Sequence, residues 1–169
     1  MDIQRIFRHL LMTEWEVRKA FPPAALSAIR NAIEASEMGH VGEIRFAVEG
    51  ALHSASLFRG LTARERAIEV FAQLHVWDTE YNSGVLIYLL LADRAVEIVA
   101  DRGIHEKVGV HGWKTICRRM EEAMAQAKYK DGVISGIERV AQHLAECFPV
   151  NTEPLNELPN QPVMLKNDR

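Results

Sequence analysis

A chain of 169 residues, 48% hydrophobic and 25% charged, has the length and composition of one globular domain with a proper core, which excludes a disordered or fibrous protein. Its net charge of −3 gives no electrostatic footprint for nucleic acid. Its longest apolar run, Val85 to Ala92, is far too short to cross a bilayer.

Residues 1–21 read as an N-terminal amphipathic helix. Ile3, Ile6, Phe7, Leu10 and Leu11 recur at helical spacing, with Arg5, Arg8 and His9 elsewhere on the wheel. The expectation is a helix docked on the domain; a membrane-surface or partner-binding helix is the alternative, and Glu14 and Glu16 weigh against an anionic membrane. No small-residue cleavage site follows, so the segment is not read as a secretory signal. Only Cys117 and Cys147 are present, and nothing demands an oxidising compartment. The reading is of a soluble, cytoplasmic protein.

Phe21-Pro22-Pro23 breaks the chain, and a second helix follows to about Ser36, with Leu26, Ile29 and Ile33 on one face. Glu43 to Glu49 alternates, with Ile44, Phe46 and Val48 on one side and Glu43, Arg45 and Glu49 on the other. That pattern predicts a strand near the sheet edge, because one face is polar. Thr62-Ala63-Arg64-Glu65 is a capping box opening a helix that buries Ile68, Phe71 and Leu74. Val85 to Leu91 reads as a strand buried on both faces, and Ala92-Asp93-Arg94 turns it into a hairpin with Ala95 to Ala100.

Strand, helix, strand is a βαβ unit, so the strands from Glu43 and Gly84 are expected to be parallel. A loop from Asp101 to His111 then leads to two long helices. Trp113, Ile116, Cys117, Met120 and Met124 stripe the first; Val133, Ile137, Val140, Leu144 and Phe148 stripe the second, with Asp131 as its expected N-cap. Residues 150–169 are aperiodic and read as an extended or disordered tail that adds little stability. The fold class is therefore α/β: a single-domain α/β/α sandwich over 22–149, with a small mixed sheet flanked by helices.

Nucleotide-binding and nucleophile motifs are absent from the sequence. His105-Glu106-Lys107 begins like a zincin helix, but His111 comes two residues too late. Asp78-x-Glu80-x-Asn82 resembles the start of an EF-hand loop, yet glycine falls at position 7 and Leu89 occupies position 12, so an EF-hand is rejected. Both cysteines lie on apolar faces and read as buried, inert thiols.

What remains is an acidic constellation. Glu43, Asp78, Glu80, Asn82 and Asp101 are expected at one end of the sheet, with Asp93 an outlier at the opposite end. Carboxylates about 6 Å apart repel by about 3 kcal/mol at an effective dielectric near 20, which a bound cation, a raised pKa or splaying into solvent would relieve. Oxygen ligands favour Ca²⁺ or Mg²⁺. Solvated surface acids are the ordinary alternative, and the amino ends of parallel strands are not where open α/β sheets usually bind ligands.

Val41-Gly42-Glu43-Ile44-Arg45, Asn82-Ser83-Gly84-Val85-Leu86, Ala92-Asp93-Arg94, Ala100-Asp101-Arg102-Gly103-Ile104-His105, Phe148-Pro149 and Asn156-Glu157-Leu158-Pro159 together resemble the TPM-domain family. That family includes a photosystem II repair protein of the thylakoid lumen and many bacterial proteins, and the likeness runs from about Pro22 to Pro159. The resemblance implies an α/β sandwich, divalent-metal binding, calcium in particular, and an acid phosphatase activity. Glu43, Asn82, Asp93 and Asp101 match the family's motif positions. Ser83 is inserted relative to the usual Asn-Gly, and the expectation is that the export-related roles of relatives with a signal or anchor do not carry over.

Two functions follow. One is a non-catalytic, calcium-binding module acting on a partner protein that the sequence does not identify. The other is a metal-dependent acid phosphatase, for which Arg45, Arg102 and Lys107 are candidate phosphate clamps but no nucleophile motif is present. The oligomeric state is left open.

Overall fold

The computed structural model describes residues 3–150 and 156–166. Helices α1 (Ile3–Leu11), α2 (Glu14–Ala20) and α3 (Pro23–Glu37) lead into strand β1 (Ile44–Glu49). Helices α4 (Ser54–Phe58) and α5 (Ala63–Gln73) precede β2 (Val85–Leu90) and β3 (Ala95–Ala100). Helices α6 (Arg102–Ala125) and α7 (Tyr129–Cys147) then run to a last strand, β4 (Val163–Leu165).

The strands form one mixed sheet in the order β3-β2-β1-β4. β1 and β2 are parallel, with Ile44 beside Val85, and β2 and β3 make the antiparallel hairpin, with Val85 beside Ala100. Side chains alternate across this sheet and so feed two cores. Ile44, Phe46, Val48, Val85, Ile87 and Leu89 meet α2, α3, α6 and α7 on one face. Ala47, Leu86, Tyr88 and Leu90 meet α4, α5 and the C-terminal segment on the other. The α/β/α sandwich, the βαβ unit and the hairpin match the reading of the sequence.

Four local expectations are corrected. The N-terminal segment is two helices, because Thr13 opens α2 with a capping box to Glu16. β1 is interior, not an edge strand: β4 lies parallel on its far side, pairing Ala47 with Val163 and Glu49 with Leu165. Arg45 and Glu49, and Glu43 just before the strand, are buried. Helix α6 starts at Arg102, where a loop was expected, with Asp101 as N-cap and a break at Gly109, whose φ of 72° suits glycine. Asp131 lies in the first turn of α7, whose N-cap is Lys128.

Two smaller differences follow from packing. α5 does open with the Thr62–Glu65 capping box, but it buries Ala67 and Val70 most deeply, and Ile68 is exposed. The tail is not loose over its described part. Leu158 is buried, and Val163 and Leu165 pack on the second core. Residues 151–155 of the tail lie outside the described residues.

The open edge of β3 is covered by side chains. Glu121 of α6 accepts from Val96 N at 3.1 Å, and Arg64 of α5 donates to the Ile98 carbonyl at 2.5 Å. Exposed strand edges invite pairing with other chains, and these contacts block that one.

Candidate functional site

Two backbone bonds align Glu43, Gly84 and Asp101 across the amino end of the sheet: Val85 N donates to the Glu43 carbonyl and Asp101 N to the Gly84 carbonyl, each at 2.8 Å. With strands about 4.8 Å apart, the outer two backbones are about 10 Å apart. The row requires glycine at its centre, since a Cβ on Gly84 would sit 1.9 Å from the Val76 carbonyl oxygen.

The loop 78–83 folds down onto the start of α6. A Cβ on Gly103 would lie 2.7 Å from the Asn82 carbonyl oxygen and 2.8 Å from that of Tyr81. Asn82 takes a left-handed backbone, φ 51°, as asparagine readily does. Ser83 is fully buried and donates its N–H to Thr79 Oγ1 at 3.0 Å.

The five expected ligands behave differently here. Asp101 accepts from Arg102 N at 2.7 Å through Oδ1, while its Oδ2 is buried without a hydrogen-bond partner. Asp78 and Glu80 are exposed. Glu43 faces the tail, accepting from Glu157 N at 2.9 Å and Leu158 N at 3.3 Å. The Glu157 carboxylate in turn accepts from Glu80 N at 3.1 Å, so the tail bridges Glu43 and the loop. Among the described residues, no three of His, Cys, Asp and Glu come together as a metal-binding group.

Beside Glu43 lies a cluster that sequence reasoning missed. Glu37 at the end of α3 accepts from the Asn160 amide at 2.7 Å, and the two line a pocket of about 210 Å³ with His40, Glu43 and Asn156. Burial, then the charge of Glu43, pushes the Glu37 carboxyl up to about 7. Burial also raises Glu43, partly offset by the two tail N–H groups, and lowers Arg45 and His40. Nothing local marks Glu37 in the sequence, because its partner comes 123 residues later.

Asp93 sits at the opposite end, in the hairpin turn. Arg5 grips both of its oxygens (Nη2–Oδ2 2.8 Å, Nε–Oδ1 3.0 Å), and His9 Nε2 lies 3.0 Å from Oδ1. Burial alone would raise this carboxyl, but the hydrogen bonds from His9 and Arg5 outweigh it and hold it well below the usual range. At the same end Glu49 takes a two-point contact from Arg66 and a 2.6 Å bond from Tyr88 Oη. These acids are saturated by protein partners.

The sequence model of the TPM domain matches residues 18–143. The chain belongs to the TPM-domain family. Solved structures with the TPM fold agree. The BA42 protein of the psychrophilic bacterium Bizionia argentinensis is 30% identical, with a TM-score of 0.72 over 84% of this chain and 93% of that one. The N-terminal domain of a P. gingivalis protein shares the fold alone, at 16% identity and a TM-score of 0.60 over 78% of this chain and 83% of that one. No curated protein matches. The matched span leaves out α1 and β4. No helix among the described residues is long and apolar enough to cross a membrane.

Proposed function

We propose that this TPM domain is a non-catalytic module that binds a hard divalent cation, Ca²⁺ or Mg²⁺, between the 78–82 loop and Asp101, and so acts on a partner protein. The observation that carries the reading is Asp101 Oδ2, a buried carboxylate oxygen without a partner, beside a loop with two further acids and two backbone carbonyls packed against Gly103. An oxygen-only donor set suits Ca²⁺ or Mg²⁺. Asp101, Asp78 and Glu80, with the Tyr81 and Asn82 carbonyls or the Asn82 amide, would hold the ion. Glu43 drops out of this set because the tail N–H groups use both of its oxygens.

Few charged ligands imply weak affinity, of order 10⁻⁴ to 10⁻³ M. Catalysis is less well supported. Ser83 is fully buried, Arg45 is buried, and Lys107 is engaged by the Cys147 carbonyl and the Phe148 ring. A phosphatase needs an accessible nucleophile and clamps that reach the same phosphate.

The test is a thermal melt of wild type and Asp101→Asn, each with EDTA and with millimolar Ca²⁺. Asparagine caps a helix as well as aspartate does, so the substitution leaves α6 intact and metal-free stability nearly unchanged. Millimolar calcium, about one to ten times that Kd, stabilises the wild type by about 0.4–1.4 kcal/mol, and Asp101→Asn loses most of that gain. If Ca²⁺ and Mg²⁺ shift neither melt, the cluster is a solvated surface and the cation reading fails.

A further inference from the structure

Helices α1 and α2 are docked in opposite senses. α2 is conventional: Val17 and then Phe21 enter the core. α1 is held to the domain by its polar side. Arg5 clasps Asp93 and donates to the Leu61 carbonyl at 2.7 Å, and buried His9 takes Asp93 on Nε2 and accepts from Leu52 N on Nδ1 at 3.0 Å. Ile6 alone of its apolar residues packs partly on the domain. Ile3, Phe7, Leu10 and Leu11, with Trp15 on the next helix, point outward and are between 57% and 72% exposed.

An amphipathic helix normally turns its apolar stripe inward. Here a part-buried charge pair and the buried His9 fix the orientation that displays it. The four α1 side chains expose on the order of 500 Å² of apolar surface, toward the top of what a monomer ordinarily shows.

We infer that this outward face of α1 is an interface with a second copy of the chain. The exposed positions fall at i, i+4, i+7 and i+8, a stripe that can pair antiparallel with itself about a two-fold axis near Phe7, setting Ile3 against Leu11 of the other copy. Two such faces would bury on the order of 1,000 Å², the threshold for a specific interface. α1 carries no acid, so no like-charged carboxylates are brought together within the paired stripe. A bilayer fits less well. Arg5 is engaged by Asp93, which leaves Arg8 as the free basic residue of α1, and Glu14 and Glu16 follow at once.

Sedimentation velocity on the full chain from about 1 to about 200 µM tests this, since a small apolar interface gives a micromolar Kd. The wild type is expected to dimerise. Phe7→Glu and Leu11→Glu, at exposed positions that leave the Asp93 clasp in place, are expected to weaken the dimer about a hundredfold or more while the monomer's circular-dichroism melt stays unchanged. A wild type that stays monomeric throughout, or association that survives both substitutions, overturns the inference. So does a monomer that floats with phosphatidylcholine or mixed phosphatidylglycerol vesicles through the same two residues, which would assign the face to lipid.

Discussion

Replacing Glu37 with glutamine should change how stability depends on pH, and in an unusual direction. In the folded protein the Glu37 carboxyl titrates near 7, against 4.5 for a free side chain, because burial and the neighbouring Glu43 disfavour its charge. A raised carboxyl pKa means the folded state holds its proton more tightly than the unfolded state does. Its contribution is therefore full below about pH 4.5 and lost as the pH rises to 7. At about 1.4 kcal/mol per unit the shift would come to about 3.5 kcal/mol, but Glu37 is only partly buried, and solvent screening reduces this to about 1–2 kcal/mol. Glutamine can still accept from Asn160 and carries no charge. Urea unfolding from pH 4.5 to pH 8 should thus give equal stabilities at the acid end and a Glu37→Gln advantage of about 1–2 kcal/mol at the alkaline end. The difference curve removes most of what other groups contribute. Parallel profiles for the two proteins would refute the reasoning.

Other perturbations read other parts of the structure. Leu158→Ala should destabilise by about 2 kcal/mol in urea melts, since it removes a buried anchor of the tail; no change would mean the tail adds nothing. Asp93→Ala should cost about 2 kcal/mol at neutral pH by stranding Arg5 and His9. Because the folded Asp93 carboxyl is depressed, that stability is present above its ordinary 3.8 and is lost as the pH falls below it, so the two melts should converge in strong acid. Gly84→Ala should fail to fold or lose several kcal/mol, because the new methyl collides with the Val76 backbone carbonyl; a near-wild-type melt would contradict the close approach at the sheet's amino end.

Local signals carried most of the fold. The unbroken apolar run at Val85, the capping box at Thr62 and the stripes of α6 and α7 each announce themselves within one element, and the structure keeps them. What was illegible depends on distant partners. The alternation at Glu43–Glu49 was read correctly as a strand, but its polar face looked solvated because Arg66 and the C-terminal segment, which cover it, come later in the chain. A 3-residue strand such as β4 has too few positions to show periodicity. The site was partly legible: the amino-end row joining Glu43 to Asp101 follows from the topology alone. That Glu43 would be bound to the tail, and that Glu37 would join it, could not be read from either neighbourhood.

The far side of β1 is completed only by residues near the chain's end, with Glu43 meeting Leu158 across 115 positions. Contacts this distant in sequence slow folding, since a long loop must close before they form. Until then β1 offers an open backbone edge and a half-buried carboxylate with no donors, a sticky intermediate by the rules that govern sheet edges. A fragment cut at residue 150, which keeps α7 and Phe148 but lacks the tail, would hold that state permanently. Its solubility, more than its secondary structure, would be the first property to suffer.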